Sequence, residues 1–122
     1  MANPNIVNVS TINGKTYANV LTTANTLQVV NAVSSGQVLK INNIVISNVD
    51  GTNAADVSLE INNAAGNATP YRLVSTIAVP ADASLIVTDK TTSFYLEEDK
   101  SIKGFASANG DLEIVVSYEV IS

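Results

Sequence analysis

The residues that could do acid–base chemistry are three glutamates, Glu60, Glu113 and Glu119. A pair of them could supply the two carboxylates of a glycosidase. Each occupies a polar position in a segment of alternating polar and apolar residues, where a solvated side chain is the default. The chain has no His and no Cys, which excludes Ser-His-Asp and Cys-His catalysis and imidazole or thiolate zinc sites. We predict that the protein is not an enzyme.

Oxygen-rich loops are the remaining candidates for a cofactor, because Ca²⁺ needs only oxygen ligands. Asp50, Asn53 and Asp56 fall in one stretch, and residues 97–99 are consecutive acids. Neither group has the acid and glycine offsets of an EF-hand loop. The six glycines are isolated, so the sequence offers no glycine-rich phosphate-binding loop. We predict no metal and no other cofactor.

Charge and composition limit the partners. Six basic and eleven acidic residues give a net charge of −5, which argues against nucleic acid because that affinity depends on Lys and Arg at phosphates. A membrane partner is not expected, since no run of about 18 apolar residues occurs. Residues 1–5 lack the basic and apolar regions of a secretory signal, so we expect assembly in the cytoplasm of the producing cell. With 46% hydrophobic and 14% charged residues, the chain should fold with a largely neutral surface.

Alternation of period two identifies the elements that must position these residues. It is clearest in Asp56–Asn62 and Leu112–Val120, where aliphatic and polar residues take turns. Other β-branched or aromatic runs are Asn5–Val9, Lys15–Thr22, Thr26–Asn31, Gln37–Asn48, Tyr71–Val79, Ala83–Thr88, Ser93–Glu97 and Ser101–Ser107. Turn residues recur about every ten positions, as in antiparallel sandwiches. We predict an all-β, single-domain antiparallel β-sandwich over residues 1–122, jelly-roll-like, with about 8–10 strands.

Three dipeptides predict hairpin turns between these strands. Asn13-Gly14, Asp50-Gly51 and Asn109-Gly110 each supply residues that accept positive φ, as tight hairpins require.

Apolar residues on both faces of a strand leave two interpretations open. Residues 44–46, 85–87 and 114–116 interrupt the alternation, either because a strand is covered on both sides or bulged at Asn42-Asn43, or because it contacts another subunit. Residues 1–9 could form an extended arm, of which Asn3–Val9 would add to the edge of a neighbouring sheet. The predicted subunit interface consists of Asn5, Ile6, Val7, Ile44, Ile46, Ile86 and Val115.

The order of segments resembles that of small virion structural proteins of tailed bacteriophages, with cyanophages foremost. The resemblance covers residues 36–122 and is carried by Lys40–Gly51, Val57–Leu59, Ile77–Ala81, Phe94–Ile102 and Val115–Glu119. It implies a β-sandwich protein of the virion, most simply a capsid decoration or cement protein that binds the outer surface of the major capsid protein and stabilises the shell.

The same resemblance leaves other positions in the particle open. A neck, collar or tail accessory protein is the first alternative, and in either role we expect a homo-oligomer, a trimer or a ring, that contacts other virion proteins. A carbohydrate- or receptor-binding module used in adsorption is the second alternative. It would need exposed aromatic residues, for which Tyr17, Tyr71 and Tyr95 are the candidates in a chain without Trp.

Overall fold

Nine β-strands form the protein in a computed structural model, which describes residues 4–122. In chain order they are β1 (Ile12–Val20), β2 (Thr26–Asn31), β3 (Val38–Asn48), β4 (Ala55–Asn62), β5 (Tyr71–Val79), β6 (Ser84–Thr88), β7 (Phe94–Leu96), β8 (Lys100–Ala106) and β9 (Leu112–Ile121).

The strands make two antiparallel sheets that pack face to face. The first sheet has the order β1-β9-β3-β6, with β7 also paired to β3, and the second has the order β2-β8-β4-β5. The pairs β1/β9, β2/β8, β3/β6 and β4/β5 are therefore nested in the sequence, as in a jelly roll. The predicted all-β jelly-roll sandwich is confirmed.

The core lies between the sheets and follows the predicted alternation. In β4, Val57 and Leu59 are completely buried, and in β9 the same is true of Leu112, Ile114 and Val116. The residues between them face outward, because successive side chains of a strand point to opposite faces.

None of the three predicted hairpins is present. Asn13 and Gly14 lie inside β1, paired with Val120 and Glu119 of β9. The Asp50-Gly51 and Asn109-Gly110 turns connect strands of different sheets. Gly110 does have the predicted positive φ, of 83°, but the turn it makes is a corner between the sheets. The two strands that are both consecutive in sequence and paired with each other are β4 and β5.

Buried asparagines close three of the corners. Asn31, Asn48 and Asn62 are the last residues of β2, β3 and β4, and each is at most 5% exposed. The amide of Asn31 donates to the carbonyl oxygens of Gln37 and Leu96 at 3.0 and 2.9 Å. Each side chain thereby takes the place of a backbone partner where the ladder ends.

The N-terminal segment differs from its prediction. Residues 5–9 form a turn instead of a strand, because the Asn5 side chain accepts a hydrogen bond from the Val7 N–H at 3.0 Å. The Asn8 N–H also donates to the Asn5 carbonyl at 3.1 Å. The part of the predicted arm that includes Asn3 lies outside the described residues.

Candidate assembly surface

The three glutamates considered for catalysis are not brought together. Glu60 is on the outward side of β4 in the second sheet, whereas Glu113 and Glu119 are on β9 in the first. Six residues of extended strand separate Glu113 from Glu119, a distance of about 20 Å. This exceeds the roughly 5–9.5 Å between the carboxylates of glycosidases.

Glu60 instead belongs to a buried polar network. It is 3% exposed, and its carboxylate accepts hydrogen bonds from the amides of Asn25 at 3.0 Å and Asn62 at 3.1 Å. The Arg72 Nε lies 3.8 Å from the same carboxylate, and the Arg72 guanidinium stacks 5.4 Å from the centre of the Phe105 ring. These partners compensate the charge of Glu60 and fix the side chains on the outer surface of the second sheet.

The acidic loops are organised by local hydrogen bonds. The Thr52 N–H and the Asn53 amide donate to the Asp50 carboxylate and hold the pKa of Asp50 below its usual value. The hydroxyl and N–H of Thr91 lower the pKa of Asp89 in the same way. Within residues 4–122, no group of three or more acidic side chains is arranged to hold a metal ion.

The three tyrosines considered for carbohydrate binding do not share a face. Tyr17 points into the sandwich, where its hydroxyl donates to the Gln28 side chain at 2.9 Å. Tyr71 and Tyr95 are exposed, but Tyr71 is on β5 of the second sheet and Tyr95 is on β7 of the first. The two exposed tyrosines therefore lie on different sheets and do not form a shared aromatic surface.

The predicted interface residues separate into two groups. Ile44 and Ile46 have no exposed surface, so the expectation that they contact another subunit is wrong. A bulge between Ile41 and Asn43 shifts the phase of β3 and turns both Ile41 and Ile44 into the core. Ile86 and Val115 face outward and are 62% and 38% exposed.

The segment at the N-terminus contains the other three predicted interface residues. Asn5, Ile6 and Val7 are all exposed, and Val7 most of all at 91%. Ile6 lines a small cavity of about 160 Å³ together with Val38 and Tyr95.

An apolar row crosses the outer face of the first sheet. The strand registers align Ala18 with Val115, Val115 with Val45, and Val45 with Ile86. We call these four residues the apolar row. The predicted interface included Ile86 and Val115, from their two-sided apolar runs, but not Ala18 or Val45. Val45 stood in the same apolar run as Ile44 and Ile46, and only the bulge decides which of the three faces outward.

Polar residues flank the apolar row on both sides. Thr16, Ser117 and Asn43 align next to it in one direction along the strands. Glu113, Ser47 and Ser84 align in the other direction, beside the exposed Val20 of β1, and the Ser47 and Ser84 hydroxyls are 3.1 Å apart. An apolar centre with a polar rim is the arrangement found in protein interfaces.

Comparison with known proteins supports the fold. No protein-family model and no curated protein matches the chain. Among solved structures, the chain is similar to Bacillus endospore appendages, described as a family of disulfide-linked pili. The identity is 12%, the match covers 91% of this chain and 87% of the other, and the TM-score is 0.52. Within residues 4–122, no helix has the length and apolar character to span a membrane.

Proposed function

We propose that the protein is a structural subunit that assembles with neighbouring subunits through the outer face of its first sheet. The observation that carries this proposal is the apolar row, in which Ile86 is 62% and Val115 38% exposed between rows of mostly polar residues. Exposed apolar patches with a polar rim mark association surfaces. A mostly uncharged surface suits such contacts, since charged residues are depleted in the centres of interfaces.

The particle that we propose is the virion of a tailed phage, with this chain as a capsid decoration or cement protein. The sequence resemblance supports a virion protein, and jelly rolls occur in viral capsids among other proteins. A subunit that binds the assembled capsid lattice, and not its separated proteins, stabilises the lattice by mass action. Quantitative mass spectrometry of purified virions distinguishes this role from a neck or tail role, which would give about one ring of copies.

A fibre is the second candidate assembly, and the similarity to the endospore appendages favours it. Because the sequence contains no Cys, such a fibre would be held by non-covalent contacts alone. Electron microscopy of the concentrated protein distinguishes the two, since a fibre subunit polymerises without a capsid.

Replacing Val115 with lysine is expected to abolish assembly, because a charge would be placed in the centre of the apolar row. The matched control is Val33→Lys, in the loop between β2 and β3, where Val33 is 65% exposed. Light scattering and co-sedimentation with capsids measure both variants. Normal assembly of Val115→Lys, or equal loss in both variants, would contradict the proposal.

The open edge of β1 provides a second contact in this proposal. β1 pairs with β9 over nine residues without a register shift, whereas the edge strands β2 and β5 are bulged and β6 and β7 are short. Thr11 exchanges both backbone bonds with Ser122, and the Leu21 N–H donates to Leu112. In this register the odd residues bond to β9, so the even residues direct their N–H and C=O groups to the open side.

We expect residues 5–9 of a neighbour to add to this edge. The chain's own segment is held away, because the Ser10 and Thr11 N–H groups both donate to the Ser122 carbonyl, at 2.7 and 2.9 Å. Thr16→Pro removes an N–H from the open edge, where proline is tolerated. Val7→Asp changes a residue that is 91% exposed. Both variants should stay folded by circular dichroism and lose assembly, with Val33→Asp as the control. Full assembly of both variants would refute this contact.

A further inference from the structure

We infer that two copies of the chain pack against each other through the outer faces of their first sheets. The two copies are related by a two-fold axis that lies in the interface, runs parallel to the strands and passes between β3 and β9. This inference rests on the proposed function and names its partner as a second copy of the chain. A rotation about this axis exchanges β3 with β9 of the other copy and β1 with β6. Two-fold contacts of this kind require that a surface be complementary to itself.

The sizes of the side chains in the apolar row fulfil this requirement. Along the row the residues are Ala18, Val115, Val45 and Ile86, from the smallest side chain at one end to the largest at the other. The rotation reverses the order, so Ile86 of each copy faces Ala18 of the other and Val45 faces Val115. The largest side chain of the row then meets the smallest, and the two valines meet each other, as in interdigitated sheet packing.

The shape of the outer face agrees with this pairing. At the Ala18 end the face has a depression of about 380 Å³, which Val20, Glu113 and Val115 also line. At the opposite end, Ile86 projects with 62% of its surface exposed. The same two-fold contact therefore places an apolar projection of each copy over a depression of the other.

The charges of the face are complementary under the same rotation. Lys40 of β3 is aligned with Glu119 of β9, in the row beyond Asn43 and Ser117. The exchange of β3 and β9 places Lys40 of each copy opposite Glu119 of the other, which gives two ion pairs per dimer. Lys90 lines the same groove as these two residues. Complementary charges determine which partner and which register an interface accepts.

Charge reversal tests this arrangement in the full-length chain. Lys40→Glu alone should place two pairs of carboxylates in contact, and Glu119→Lys alone should place two pairs of amines in contact. We expect each variant to dimerise at least about tenfold more weakly than the wild type, because like charges oppose each other. An equimolar mixture of the two variants should dimerise about as well as the wild type, since both cross-pairs again join opposite charges. Sedimentation equilibrium and native mass spectrometry measure the dimers.

The mixture separates this contact from an effect within one chain. Lys40 and Glu119 are also neighbours in the same sheet, so a single reversal changes the stability of the monomer. Such a loss of stability is not restored by mixing and is visible in thermal unfolding.

Exchanging the sizes of the two side chains that face each other gives a second test. Ala18→Ile should weaken the dimer, and Ala18→Ile combined with Ile86→Ala should restore it.

The outcomes distinguish this inference from the proposed function. If mixing restores nothing while Val115→Lys still blocks assembly, the face is an assembly surface but the two-fold arrangement is wrong. If the wild type stays monomeric at millimolar concentration but binds capsids, the inference again fails alone. If Val115→Lys also leaves every association unchanged, both fail.

Discussion

Replacing Ile44 with alanine is expected to lower the free energy of unfolding by about 2–5 kcal/mol, the range for removing large aliphatic side chains from a core. Ile44 has no exposed surface and belongs to the cluster that fills the space between the sheets. The loss combines the transfer free energy of the deleted carbons with the cavity that remains. Because domains are stable by about 5–15 kcal/mol, one substitution could remove half of the total. Urea unfolding measures it, with the m-value as a check on two-state behaviour.

Ile86→Ala is the matched control, since it makes the same chemical change on the same sheet at a residue that is 62% exposed. We expect it to change the free energy of unfolding by less than about 0.5 kcal/mol, as is usual for surface positions. It should instead weaken assembly through the apolar row. The opposite pattern, in which Ile44→Ala stays stable and loses assembly, would place Ile44 at an interface after all.

The contrast between these two isoleucines shows how far alternation predicts the fold. In β4 and β9 the period of two identifies both the strand and its buried face, because nothing interrupts the pleat. In β3 the bulge at Asn42–Asn43 adds a residue, so the buried positions Ile41 and Ile44 are three residues apart. The sequence left a bulge there as one of several interpretations, because a bulge and a two-faced strand produce the same run of apolar letters.

The pairing of the strands was harder to predict from the sequence than their location. The Asn-Gly and Asp-Gly dipeptides contain information about local φ, and Gly110 confirms it at one position. They do not determine whether the strands on either side join one sheet or two. In a jelly roll most partners are distant in sequence, as with β1 and β9, so the choice depends on packing across the whole chain.

The three buried asparagines at the corners have a recognisable position in the sequence. Asn31, Asn48 and Asn62 are each the last residue of a strand, at the end of a run of strand-forming residues. Fifteen asparagines in a chain of 122 suggested a polar surface, yet these three are among its buried residues. An Asn at the last position of a strand can supply both a donor and an acceptor where the backbone hydrogen bonds between strands stop.

Replacing Asn48 with aspartate or with alanine is expected to destabilise the protein by about 2–4 kcal/mol, since at least one buried and one part-buried hydrogen bond are lost together. The Asn48 amide donates to the carbonyl oxygens of Asn53 and Val79 at 3.0 and 2.9 Å, and its oxygen accepts from the Asp50 N–H at 2.9 Å. These bonds join the end of β3 to β5 of the other sheet. Alanine removes all three bonds, whereas aspartate keeps the acceptor and directs a charged oxygen at two carbonyls.

The aspartate variant also makes stability depend on pH in a definite direction. Burial and the two carbonyls disfavour its charged form, so the pKa of the new carboxyl is raised in the folded state. Its destabilisation relative to the wild type should be smallest below the unfolded pKa, about 3.9, and should grow as pH rises through the raised folded value. Asn109→Asp is the control, because the Asn109 oxygen accepts from the Thr23 N–H and a carboxylate also accepts. Equal behaviour of the two variants in urea unfolding between pH 4 and 8 would show that Asn48 does not join the sheets through its donated bonds.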